Sequence, residues 1–79
     1  MRKRSITIHG HRTSIAIEPE FWAVIDIAIA KSGRSKAAFI AALDDERIAK
    51  NSPYGLASYL RLFALDFVQN SHGENSPPV

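Results

Sequence analysis

The sequence predicts one mainly α-helical domain fronted by a short β-ribbon. Three observations predict it. The first seventeen residues alternate apolar and polar side chains with a period of two, the mark of a half-buried strand. From Pro19 onward the spacing of apolar residues turns helical. The whole chain has 79 residues, no cysteine and 46% hydrophobic residues, which is room for one domain, excludes a disulfide scaffold and argues against disorder. A chain of this size buries only about 60% of the surface that it exposes when unfolded. An apolar-rich sequence without staples therefore points to an oligomer.

The elements follow in order. Ser5-Ile6-Thr7-Ile8 and Thr13-Ser14-Ile15-Ala16-Ile17 read as strands, about 5–8 and 12–17. Between them His9-Gly10 fits a two-residue hairpin loop, with Gly10 free to adopt a positive φ. That loop would set Ile8 opposite His11, Ile6 opposite Thr13 and Arg4 opposite Ile15. It would place Ile6, Ile8, Ile15 and Ile17 on one face and Lys3, Ser5, Thr7, Arg12, Ser14 and Ala16 on the other, a separation that a one-residue slip would destroy. The two strands also resemble each other, Arg4-Ser5-Ile6-Thr7-Ile8 against Arg12-Thr13-Ser14-Ile15-Ala16-Ile17.

Glu18-Pro19-Glu20 opens the first helix, about 19–31, with proline suited to the first turn and acids near the positive end of the dipole. Phe21, Trp22, Val24, Ile25, Ile27, Ala28 and Ile29 cover almost its whole circumference, so it must be buried on several sides; Asp26 is the exception. Ser32-Gly33 stops it. Ser35 caps a second helix, about 35–50, with Phe39, Ile40, Leu43 and Ile48 as its apolar line and Asp44 to Arg47 as a solvated face. After the turn Asn51 to Gly55, a third helix, about 54–69, carries Leu56, Tyr59, Leu60, Phe63 and Phe67 on one stripe. Residues 1–69 form the single domain, and 70–79 read as a disordered tail.

The formal charge of +2 conceals a polarised chain. Residues 1–17 hold Arg2, Lys3, Arg4 and Arg12 and no acid, a local +4, while residues 18–79 carry a local −2. The apolar stretch Phe21 to Ala30 is too short to span a membrane, and no apolar segment of a signal peptide follows the basic start, so the expected location is the cytoplasm.

Enzyme chemistry finds no support: there is no nucleophile elbow, no phosphate-binding loop and no dinucleotide fingerprint. Asp44 and Asp45 are adjacent on a helix and point apart, so they do not form an acid–base pair. His9 and His11 supply two imidazoles, but two ligands do not make a metal site, and polar turn residues near phosphate are the preferred reading. No metal and no cofactor is expected. The start of the second helix, Gly33-Arg34-Ser35-Lys36, joins free backbone N–H groups, a hydroxyl cap and two bases, which suits phosphate.

The order strand, helix, Gly-x-Ser turn, helix resembles the ribbon-helix-helix family of bacterial repressors, the Arc and methionine-repressor type. The residues that carry the resemblance are Arg12-Thr13-Ser14-Ile15-Ala16-Ile17, Glu18-Pro19-Glu20-Phe21-Trp22 and Ser32-Gly33-Arg34-Ser35-Lys36. The segment from Gly10 to Trp22 is similar to a group of small, uncharacterised bacterial proteins of that family.

The resemblance implies an intertwined homodimer whose paired strands enter the DNA major groove. It implies base contacts from Arg12, Ser14 and Ala16, and phosphate contacts from Arg2, Lys3, Arg4, Arg34, Ser35 and Lys36. The shared dimer core would comprise Ile15, Ile17, Phe21, Trp22, Ile25, Ile29, Ile40 and Leu43. Ser5 to Ile8 is an extra strand with no place in the minimal fold; it would either flank the ribbon in a four-stranded sheet or fold aside.

Two functions are therefore in view. The first is a sequence-specific DNA-binding transcriptional regulator, a repressor, that binds double-stranded DNA as a homodimer, with higher-order assembly on DNA. The alternative is a dimeric protein-interaction module or antitoxin-like protein that binds a partner through the third helix and the tail.

Overall fold

The alternation in the first seventeen residues becomes an antiparallel hairpin. In the computed structural model, which describes residues 1–75, β1 spans Arg2–Ile8 and β2 spans His11–Ile17. The register pairs Ile8 with His11, Ile6 with Thr13, Ser5 with Ser14 and Arg4 with Ile15, as the two-residue loop requires. His9 and Gly10 both have positive φ, 51° and 81°, the signature of a type I′ turn whose twist matches that of the strands. β1 begins at Arg2 rather than Ser5, and the pairing continues out to Arg2 and Ile17.

Three helices follow: α1 Pro19–Ser32, α2 Lys36–Ala49 and α3 Leu56–Asn75. Pro19 opens α1, and Gly33 ends it in the left-handed conformation at φ 73°, where a residue without Cβ avoids strain. The Ser35 hydroxyl accepts a hydrogen bond from the Ala38 N–H at 3.1 Å and caps α2. Asn51, at φ 53°, turns the chain out of α2, and its N–H donates to the Ile48 carbonyl. α3 runs on through Asn75, so residues 70–75, read above as tail, are helical. Residues 76–79, the rest of that expected tail, lie outside the described residues.

The core gathers the inner face of the hairpin and one side of each helix. Ile6, Ile8, Ile15 and Ile17 meet Trp22 and Ile25 of α1, Ile40 and Leu43 of α2, and Leu60 and Ala64 of α3. Trp22, Ile17, Ile25, Ile40 and Leu60 are fully buried, each stabilising the fold by about 1.5–3 kcal/mol relative to exposure. Six of the eight residues expected to form a core between two chains are thus already buried within one: Ile15, Ile17, Trp22, Ile25, Ile40 and Leu43. The other two, Phe21 and Ile29, are half-buried against the same cluster. Much of what covers α1 is α3 of the same chain, with the hairpin and α2 supplying the rest. One strip of α1, Ala23, Ile27 and Ala30, stays exposed, with Ile27 at 52%.

Candidate nucleic-acid interface

The face of the hairpin turned away from the core is built from alternate residues of both strands. Lys3, Ser5 and Thr7 on β1 lie opposite Ala16, Ser14 and Arg12 on β2. All are exposed except Ala16, which is half-buried. The surface is low along its middle, where serine faces serine, and carries a long cation at each end on opposite strands. It holds no acid. The expected base-contacting residues Arg12, Ser14 and Ala16 are therefore brought together in one column, and Lys3 stands beside them. Ser5 and Thr7 complete the same face; the family resemblance assigns them no contact, although the period-two alternation already places them there.

Both ends of the hairpin are fastened to the helices. At the open end the Trp22 Nε1–H donates to the Arg2 carbonyl at 2.8 Å. Arg4 turns to the core side, where its guanidinium donates twice to Asp26, at 2.7 and 3.1 Å, and stacks over the Trp22 ring at 4.5 Å. Arg4 is thus separated from the outward cations and engaged by Asp26. That hydrogen bonding holds the Asp26 carboxyl below its ordinary range and raises the Arg4 guanidinium, with Lys36 adding to the attraction on Asp26. Arg61 of α3 clasps Glu18, at the junction of β2 and α1, at 2.7 and 3.3 Å, and this bond lowers the Glu18 carboxyl. At the turn, His9 Nε2 lies 2.7 Å from Asp45 of α2.

Ion pairing sorts the cations. Arg4, Arg47, Lys50 and Arg61 are matched to Asp26, Asp44, Glu46 and Glu18. Among the described residues, Arg2, Lys3, Arg12, Lys31, Arg34 and Lys36 form no ion pair, and Lys31 of α1 lies over the Phe67 ring at 5.7 Å. Arg2, Lys3 and Arg12 lie on the hairpin, and Arg34 and Lys36 are exposed at the start of α2, beside the Ser35 cap. α2 packs against β1, and Lys36 adds to the attraction on Asp26, which holds Arg4 of β1. The molecule has neutralised much of its acidic body internally, and five of its six cations without an ion pair lie on the hairpin and at the start of α2.

The profile of the ribbon-helix-helix domain matches the chain over residues 1–68. The chain belongs to the ribbon-helix-helix family. No curated protein and no solved structure matches it significantly. Ribbon-helix-helix domains are typically non-enzymatic DNA-binding regulators that act as dimers. In this member two strands of one chain form the two-stranded ribbon.

Other sequence-level candidates take structural positions in this ribbon-helix-helix chain. The run Asp44 to Arg47, expected as a solvated face, makes specific contacts: Asp44 accepts from Arg47 at 2.8 Å, Asp45 meets His9, and Glu46 accepts from Lys50 and the Tyr59 hydroxyl at 2.7 and 2.8 Å. His9 and His11 join no group of three or more metal-ligating side chains among the described residues. None of the described helices is long and apolar enough to cross a membrane.

Proposed function

We propose that this protein is a sequence-specific DNA-binding transcriptional regulator, a repressor, that works as a homodimer and lays the outward face of its ribbon in the major groove. The observation that carries the reading is the acid-free hairpin face with its unpaired Lys3 and Arg12, together with the unpaired and exposed Arg34 and Lys36 at the start of α2. Arg12 suits bidentate pairing with guanine, Ser14 either kind of base edge and Ala16 a thymine methyl. The N–H groups and cap at Ser35, with Arg34, Lys36 and Arg2, suit phosphate oxygens, which set register and salt dependence. Selection from a genomic fragment library followed by Arg12→Ala tests it. The variant should lose about 1–3 kcal/mol of discrimination at one base position. A library in which nothing is enriched, together with unchanged DNA affinity of Arg12→Ala, would refute the reading.

A second reading draws on a separate observation. Leu62, Leu65 and Val68 of α3 are 45%, 50% and 46% exposed and follow one another around a single helix face. Leu62 also lines a groove of about 210 Å³ between α2 and α3, with Leu43, Glu46, Lys50, Tyr59, Phe63 and Asp66. This face would suit a protein partner. Because α3 contributes Leu60 and Ala64 to the core, the test is Leu62→Lys with Leu65→Lys rather than a truncation. Capture of the same partner by the double variant would count against it.

A further inference from the structure

The hairpin has an internal symmetry that the DNA-binding reading does not use. In its register a two-fold axis normal to the sheet, between Ser5 and Ser14, carries each β1 residue onto the β2 residue nine positions later. Under that rotation Ser5 falls on Ser14, Ile6 on Ile15 and Ile8 on Ile17, all identities, while Lys3 falls on Arg12 and Thr7 on Ala16. All four isoleucines are buried, so the shared core side explains their equivalence. It does not explain the equivalence on the outward side, where cation, serine and small residue repeat in the same order and where Lys3, Ser5, Arg12 and Ser14 are exposed. The mismatched pairs, Arg4 with Thr13 and Arg2 with His11, have the parity of the core-facing side, where Arg4 serves Asp26.

We infer that the hairpin of a single chain is a quasi-two-fold reading unit, in which Lys3 of β1 is the counterpart of Arg12 of β2 and reaches a base edge rather than phosphate. The inference rests on the DNA-binding reading and names the residues of β1 as base-reading residues of that site. The dimensions favour it. Two strands lie about 4.8 Å apart, so a hairpin with its side chains matches a major groove about 12 Å wide. A partner strand on each side of a common axis would widen the sheet to four strands, about 14 Å between the outermost backbones before any side chain is added. Duplex DNA has local two-fold axes of its own, on which a quasi-two-fold ribbon can sit. Lys3 and Arg12 are separated by four residues along the ribbon, about 14 Å, or roughly four base-pair steps. Each is of a type that pairs with guanine O6 and N7. The recognised element is then a short inverted repeat with a guanine near each end, one on each DNA strand, read by one protomer.

The experiment uses the full-length protein and a random double-stranded DNA library, selected in parallel with wild type, Lys3→Ala, Arg12→Ala and Lys3→Arg. Both altered residues are exposed, and circular dichroism verifies that each variant is folded. Wild type should enrich the inverted element. Arg12→Ala should relax discrimination at one end about 5- to 150-fold, and Lys3→Ala should relax it at the other end by a similar factor. Lys3→Arg should retain it. If Lys3→Ala instead weakens all sequences equally and lowers only the salt slope, β1 touches phosphate alone and the inference is overturned while the DNA-binding reading stands. If wild type enriches no sequence, both fall together.

Discussion

Trp22 is the residue on which the placement of the ribbon most depends, and Trp22→Phe measures that dependence. The indole is 1% exposed, its N–H holds the Arg2 carbonyl at 2.8 Å, and its face carries the Arg4 guanidinium at 4.5 Å. Phenylalanine keeps the rotamer and most of the contact. It removes the hydrogen bond, worth about 0.5–1.5 kcal/mol, and weakens the cation–π contact by about 0.5 kcal/mol. It also leaves a void of roughly three heavy atoms, which adds about 1 kcal/mol. The expected loss is about 2–3 kcal/mol, a large share of the roughly 4–12 kcal/mol available to a domain of this length. Trp22 is the only tryptophan, so unfolding is followed by far-ultraviolet circular dichroism in urea at a fixed protein concentration. The midpoint should fall by about 1–2 M. Amide exchange should separate the two roles of the indole: protection should be lost first in β1 and only later in α2. A midpoint shift below about 0.5 M, or a loss of protection spread evenly over all elements, would show that Trp22 is ordinary core and not a fastening of the open end.

Two further outcomes are expected. Ser35→Ala removes the only side-chain acceptor at the start of α2 and should destabilise the protein by about 1 kcal/mol, with Ser35→Asp largely restoring it; thermal or urea unfolding of the three forms checks this, and equal stability of all three would refute the cap. Asp26, whose carboxyl is lowered first by its hydrogen bonds to Arg4, contributes stability that is present above its unfolded value, about 3.9, and is lost as pH falls through the lower folded value. Unfolding between pH 7 and pH 2 should therefore show stability falling below about pH 4, and Asp26→Asn should flatten part of that fall; an unchanged profile would exclude the pair as a contributor.

The hairpin and its register were legible because side-chain period, turn chemistry and loop length all specify one pairing, and the segment is too short for another to compete. The cap at Ser35 and the stop at Gly33 were legible for the same local reason. Contacts between distant residues were not. Nothing local to Arg4 distinguishes it from Lys3 except parity, and only the packing of α1 across the open end sets Asp26 and Trp22 beneath it. The nearly all-round apolar surface of α1 announced that it would be covered, yet a pattern cannot say whose surface covers it; much of that cover is α3 of the same chain. The end of α3 was hidden for another reason. Past Val68 the helix no longer needs an apolar stripe, so period offers no signal, although Asn70 donates to Asp66 one turn back at 3.1 Å.

The covalent His9–Gly10 link between the two strands has a consequence for how the ribbon persists. Strands on separate chains pair only above the concentration at which the chains associate, and dilution removes their ribbon. Here closure spans two residues, so the effective concentration of each strand for the other is set by the turn and not by expression level. The ribbon is present in a single isolated molecule. Its two columns are also encoded separately, so one codon change alters one column alone, whereas a ribbon of two identical chains changes in both halves at once.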